Sequence, residues 1–437
     1  MIRRSMSAII FVALGVLQSL PASAQAATDG VPVVTLAEAR ARAALVSPDA
    51  VAARSRVETA ASERRAALTN LLTPNVTGGV SYTHFSEPFF NFGTGSISPN
   101  AASATLDARY TLLGAGKFGD LRSSRASVES AEATESVARF RTALSTDAAY
   151  FAVLANRDLS RVATDRLKRA EEQLGIARVR VTAGEAIASD SLQLLLEVSR
   201  ARLALLSRDS AVVTSRLRLG RMIGLTGAAD AAPIDTVKPP PLPMTQDEAI
   251  AEMRRRGPEV EASRADERSA SAMLGAQRER YLPEVTLGAT SGRYDSRLFP
   301  SALKRSQLAV TVLVPFWNGG ARELAVARAR ADRDIARATR ADLERGAGEV
   351  MAEAYHGYIT SRSGVDLALI GVAAARENYR VQRARYQEGA TTILDLLEAQ
   401  VALSESEAAL IQARYSTRLA LAQIESLLGR RIFDGTT

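Results

Sequence analysis

Residues 110–122 read YTLLGAGKFGDLR, a strand-like run that ends in Gly114, Gly116 and Gly119. The glycines form a G-x-G-x-x-G between an apparent strand and an apparent helix, the outline of a dinucleotide-binding turn. A dinucleotide fold also needs a buried apolar parallel strand, a short crossover helix, and an acidic residue about 20 positions on at the end of a second strand. Glu135 lies that far on, but inside an uninterrupted helical pattern. The preceding strand alternates instead of running apolar. Ala104, Leu106, Ala108, Tyr110 and Leu112 share one face, and Thr105, Asp107, Arg109 and Thr111 share the other. The glycines therefore read as a turn from strand into helix, and the rest of the chain must say which strand and which helix.

The chain repeats its own plan. The segment TLAEARARAALVSPDAVAARSRVETAASERRAAL (35–68) aligns with TQDEAIAEMRRRGPEVEASRADERSASAML (245–274), with Pro48 over Pro258. TPNVTGGVSYTH (73–84) matches LPEVTLGATSGRY (282–294), and LLGAGKFGDLRSSRA (112–126) matches PFWNGGARELAVARA (315–329), with Gly116 over Gly319. RVTAGEAIASDSL (180–192) matches RYQEGATTILDLL (385–397), with Gly184 over Gly389 and Asp190 over Asp395, and RMIGL (221–225) matches SLLGR (426–430). The order is kept throughout, so the sequence predicts a tandem duplication: a first repeat over 35–229, a Pro-rich linker over 230–244 and a second repeat over 245–430, followed by a tail over 431–437.

Each half predicts a short helix, a medium helix, two strands, a very long helix, a tight turn and a returning helix. The strands fall at about 74–84 and 103–113, then at about 283–294 and 305–315. The long helices fall at 117–182 and 320–387, and the returning ones at 188–223 and 393–428. At 1.5 Å per residue each long helix spans roughly 100 Å. Heptad spacing runs through Leu196, Leu203 and Leu217, through Leu396, Leu403 and Leu410, and through Val365, Val372, Tyr379 and Tyr386. That spacing implies coiled-coil packing, although an ordinary helical bundle shares it. Strands of about ten residues that alternate apolar and polar are what a transmembrane barrel requires, and a soluble hairpin packed on helices gives the same alternation. Four strands cannot close a barrel, whereas three copies would supply twelve. The segments at 85–102 and 295–304 are then expected as outward loops.

Composition narrows the function. The chain of 437 residues has no cysteine and only two histidines, His84 and His356, which removes thiolate nucleophiles, zinc fingers and most imidazole catalysis. No cofactor and no enzymatic activity are expected. The formal charge is +7, carried mostly by Arg interleaved with Glu and Asp along helices, as in 327–345, which describes a solvated helix face and no nucleic-acid partner. The N-terminus, MIRRSMSAIIFVALGVLQSLPASAQA, pairs Arg3 and Arg4 with an apolar run and an A-x-A site, so residues 1–26 read as a secretory signal peptide. No later stretch approaches the roughly 18 apolar residues of a membrane-spanning helix.

With the duplication, the strand pairs, the long helices and the two Gly-turn-Asp segments in view, the chain resembles the bacterial outer-membrane efflux protein (TolC) family over about residues 35–430. The segments that carry the resemblance most specifically are AGEAIASDSL, QEGATTILDLLEAQ and VPFWNGG. The resemblance implies a mixed fold, mainly α. In it a homotrimer shares a 12-stranded β-barrel, four strands per chain, in the outer membrane of a Gram-negative bacterium. That barrel continues into a periplasmic α-helical coiled-coil barrel. It implies a passive exit duct of a tripartite efflux or type I secretion system, with a periplasmic adaptor, an inner-membrane pump and outer-membrane lipid as partners. A soluble periplasmic coiled-coil scaffold is the alternative reading.

The same resemblance places an acidic constriction at Asp395 and Glu398, with Asp190 and Gln193 as first-half counterparts, and gives Tyr386 a part in holding the tip closed. For Asp190 and Asp395 helix capping is an equal reading, and for Tyr386 a heptad core role is. Gly184, Ile187, Ser189, Gly389, Thr392 and Ile393 are expected at tips that contact the adaptor. Asp107 and Arg109 are expected to face the barrel lumen, and Gly116, Pro315, Gly319 and Gly320 to form the strand-to-helix junctions.

Overall fold

A computed structural model of the chain describes residues 30–91, 95–114, 116–185, 187–234, 240–297 and 303–433. The expected signal peptide, the linker's 235–239 and the tail's 434–437 lie outside these residues. The molecule is mainly helical with one four-stranded sheet.

The first half opens with a two-residue strand β1 (Val33–Val34) and helix α1 (Leu36–Val46), whose N-cap Thr35 accepts a hydrogen bond from the Glu38 amide. Pro48 starts α2 (Pro48–Leu72), where its missing N–H and fixed φ suit the first helical position. Strands β2 (Asn75–Asn91) and β3 (Ser96–Leu113) follow, then α3 (Lys117–Thr182) and its returning partner α4 (Ala188–Met222). A two-residue strand β4 (Asp230–Ala231) pairs in parallel with β1. The second half runs α5 (Gln246–Arg256), α6 (Pro258–Glu279), β5 (Glu284–Asp295), β6 (Leu303–Leu313), α7 (Ala321–Gln387) and α8 (Ile393–Leu428).

Sixty-six residues make α3 and 67 make α7. At 1.5 Å per residue each is about 100 Å long. The helices bury narrow stripes. Val365, Val372, Tyr379 and Tyr386 on α7 are all buried at seven-residue spacing, while most of the remaining surface of the helix stays exposed. One buried cluster near the tips joins Leu174, Ala177 and Leu194 from α3 and α4 to Tyr379, Tyr386, Leu396 and Leu403 from α7 and α8. Another gathers the β1–β4 pair against mid-α3, where the Tyr150 hydroxyl donates to the carbonyls of Ala232 at 2.8 Å and Val34 at 3.3 Å.

The four long strands form one antiparallel sheet in the order β2-β3-β5-β6. Its first hairpin is longer than the sequence suggested. Strand structure continues through Phe85–Asn91 and Ser96–Ala102, with a register shift between His84 and Phe89, where 85–102 was expected to be loop. The β-prone Phe85, Phe89, Phe90 and Ile97 explain the extension. On one face Val76, Val80, Leu106, Leu308, Val310 and Val312 are all exposed. The opposite face carries Thr77, Ser81, Ser103, Thr105, Asp107 and Thr290, a register in which Asp107 lies opposite both Thr77 and Thr290. Strands β2 and β6 each keep one unpaired edge within the chain. Among the described residues no helix is long and apolar enough to cross a membrane.

A candidate pore constriction and docking tips

Both long helices end in the same backbone device. Gly184 has φ +77° and Gly389 φ +74°, a left-handed conformation that favours glycine. At the end of α3 the Glu185 amide donates to Arg180 O at 2.8 Å and the Gly184 amide to Val181 O at 3.1 Å. At the end of α7 the Ala390 amide donates to Arg385 O at 2.8 Å and the Gly389 amide to Tyr386 O at 3.1 Å. These are paired Schellman closures, which satisfy the last carbonyls of each helix.

The returning helices begin differently. Thr392 caps α8 in a full capping box: the Asp395 amide donates to Thr392 Oγ1, and Asp395 Oδ2 accepts from the Thr392 amide at 3.1 Å. The same carboxylate oxygen accepts from the hydroxyls of Thr392 at 2.6 Å and Thr391 at 2.8 Å. The Thr392 hydroxyl, then the Thr391 hydroxyl and the Thr392 amide, stabilise the ionised form and hold Asp395 below the usual carboxylate range. In α4 the N-cap position is Ile187, which supplies no side-chain cap. Asp190, third in its helix as Asp395 is in α8, therefore has no capping partner at its N-cap. Asp395 and Glu398 are both exposed, one turn apart on α8.

A cavity of about 430 Å³ separates the two tips, lined in part by Arg180, Asp190, Gln193, Tyr386, Thr392 and Leu394. Ile187, Ser189, Gly389 and Ile393 border it too. Tyr386 is 4 % exposed; burial, and then the negative charge of Asp190, push its phenol above the ordinary value, against the pull of Arg180. Its hydroxyl and the Gln193 amide oxygen are buried without a hydrogen-bond partner among the described residues. Tyr386 thus belongs to the buried heptad stripe and to the tip cavity at once.

Sequence reasoning missed Arg180. Its Nη1 donates to Tyr386 O at 2.5 Å, its guanidinium lies 5.3 Å from the Tyr386 ring centroid, and its Nε is 3.8 Å from Glu185. It therefore contacts both tips of the chain. The signal was available: the matching residue of the second half is Arg385, whose Nη2 donates to Ala390 O of its own turn and whose charge acts on Asp395. Glu398 is exposed and is not among the residues that line this cavity.

At the other end of the helices, Gly116 (φ +90°) and Gly320 (φ +84°) are the N-caps of α3 and α7, and Gly319 has φ +73°. Structurally Gly116 thus corresponds to Gly320, one residue on from the Gly319 pairing read in the sequence. Pro315 lies in the segment between β6 and this turn. Asp107 Oδ1 accepts from the Thr290 hydroxyl at 2.6 Å across the β3–β5 ladder, and Arg109, on the same face, is exposed. Among the described residues no group of His, Asp and Glu side chains is placed to hold a metal ion.

Comparison with known proteins gives this arrangement of sheet and helices a family. The outer membrane efflux protein family matches residues 39–225 and 249–430, and the chain belongs to that family. It is 28 % identical to the pyoverdine export outer membrane protein OpmQ of Pseudomonas aeruginosa, over 89 % of this chain and 83 % of that one. It is 26 % identical to the outer membrane protein OprJ of the same organism, over 62 % and 58 %. Among solved structures it matches the Campylobacter jejuni CmeC outer membrane channel with a TM-score of 0.78 at 18 % identity, covering 90 % of this chain and 85 % of that one. The Vibrio cholerae outer membrane protein VceC matches with a TM-score of 0.74 at 18 % identity, covering 91 % and 97 %. The chain is an outer-membrane efflux protein that extends into the periplasm, and the soluble-scaffold reading is set aside.

Proposed function

We propose that three copies of this chain close a 12-stranded barrel in the outer membrane and carry it into the periplasm as a helical duct. The observation that carries this reading is the sheet: four long strands, an apolar face exposed on one side, a hydroxyl-rich face on the other, and an unpaired edge at each end. Exposed edges of that length invite pairing, and closure removes them. The two halves, 35–229 and 245–430, act as duplicated repeats on either side of the Pro-rich linker.

Transport through the duct is passive, with no catalytic step. The barrel lumen is lined by Asp107 and Arg109. At the periplasmic end, Asp395 and Glu398 from three chains set six carboxylates around the narrowest point, with Asp190 and Tyr386 behind them. Such rings favour cations. The tips around Gly184, Ile187, Ser189, Gly389, Thr392 and Ile393 dock a periplasmic adaptor that links the duct to an inner-membrane pump. Ile187 and Leu394, 69 % and 62 % exposed, are apolar points that a partner can cover. A photo-crosslinking residue placed at either position in cells is expected to capture the adaptor. Absence of any adduct from all tip positions, with the protein correctly in the outer membrane, would overturn the docking assignment.

A further inference from the structure

The apolar face of the sheet ends, just past β6, at two aromatic residues. On β6 Leu308, Val310 and Val312 point to the apolar face and are 72 %, 65 % and 61 % exposed in the single chain. The ladder stops at Leu313, and residues 314–317 continue without helix or strand to the turn at Gly319 and Gly320. Phe316 lies an even number of residues from those three aliphatic positions. It is 88 % exposed, more than any other large apolar side chain described, and Trp317 beside it is 75 % exposed. Rings this large are unfavourable in water. The boundary between hydrocarbon and headgroups suits them, since it accepts an apolar ring and still hydrates the indole N–H.

The spacing supports that boundary. Beyond Leu308 the positions on the same face become Ser306 and Lys304. Ser306 and Phe316 are ten residues apart (316 − 306). Ten residues reach at most about 33 Å when extended, and a strand tilt of about 40° leaves up to roughly 25 Å along the membrane normal, the height of a barrel's apolar band. Polar residues at one end and aromatic residues at the other thus bracket one hydrocarbon core. The first-half junction has no such pair: Leu112 and Leu113 stand before Gly116 where Phe316 and Trp317 stand before Gly320.

We propose that Phe316 and Trp317 are the lipid anchor of this chain, seated at the acyl–headgroup boundary of the periplasmic leaflet, where they fix the height of the barrel in the membrane. The assignment rests on the barrel reading above. Lipid is the occupant because Phe316 keeps the parity of the exposed aliphatic stripe of β6 just past the end of the ladder, with Trp317 exposed beside it. The aromatic edge comes once per chain, from the second half, so a trimer carries three anchors.

Trp317 is the only tryptophan in the sequence, so fluorescence reports it alone. The full mature protein would be reconstituted into phosphatidylcholine vesicles brominated either near the headgroup end or near the far end of the acyl chain. Three proteins are compared: the natural chain, Phe316→Trp in a Trp317→Phe background, and Val310→Trp in the same background. With bromine near the headgroup, the first two reporters are expected to lose roughly half of their emission, and less with deep bromine; the reporter at 310 is expected to reverse that order. If neither bromolipid quenches the reporters at 316 and 317 while the one at 310 is quenched, the anchor fails and the barrel stands. If the reporter at 310 is also untouched, the barrel reading fails, and the anchor with it.

Discussion

Asp395 is bound by three donors and yet exposed, so one carboxylate caps α8 and still presents charge at the candidate constriction. The hydrogen bonds lower its pKa in the folded state relative to the unfolded chain. Its contribution to the start of α8 is therefore present above the ordinary Asp range and is lost as pH falls through the lowered value. In planar bilayers, Asp395→Asn with Glu398→Gln is expected to reduce cation over anion selectivity several-fold; unchanged reversal potentials would contradict the constriction. In Glu398→Gln alone, the remaining ring charge at this level is Asp395, and selectivity is expected to persist on acidification below pH ~3.9, where an unperturbed Asp would be half protonated. The capping role of Asp395 was readable from the sequence, because a carboxylate in the first turn suits a helix N-terminus; the constriction there is the proposal. The difference at Asp190 was less visible, since it turns on Ile187 standing where the second half has Thr392.

At the scale of elements, α1 is held to the middle of α3 by one bidentate pair. Arg40 donates from Nε and Nη2 to the two carboxylate oxygens of Asp147, each at 2.5 Å, and the Asp147 side chain is only 2 % exposed. Breaking such a pair from one side leaves a buried charge without its partner. Arg40→Met is expected to destabilise the protein by about 3–5 kcal/mol. Thermal melting of the reconstituted protein measures it, and a melting point unchanged within error would contradict the role given to the pair. Replacing both residues with apolar ones should recover much of the loss. The helices were legible because their apolar spacing is sustained over many turns, and the glycines at 116, 184, 320 and 389 because a positive φ leaves few alternatives. The β1–β4 pair was not, since two-residue strands carry no periodicity and depend on Tyr150 from mid-α3. The long first hairpin was missed for another reason: Ser86, Pro88 and Asn91 are turn-prone, yet a register shift takes up 85–88 and Phe89, Phe90 and Asn91 pair again with Ser98, Ile97 and Ser96.

For the whole molecule, a single chain leaves surfaces that it cannot cover. Leu192, Leu203, Leu206 and Val213 on α4 are 65 %, 70 %, 63 % and 56 % exposed, and Leu367 and Ile370 on α7 are 69 % and 67 % exposed. Rods of about 100 Å with such stripes need neighbours along their length. The sequence indicated this through heptads too long for one chain to satisfy, and the free edges of β2 and β6 make the same demand at the membrane end. What the account requires is closure. The most direct test is to express the mature protein, fractionate the envelope, and run the outer-membrane extract on detergent gels with and without boiling. A band of trimer size that collapses to the monomer on heating is the expected result. A protein recovered from the soluble periplasm, or one running as a monomer without heating, would contradict the shared barrel.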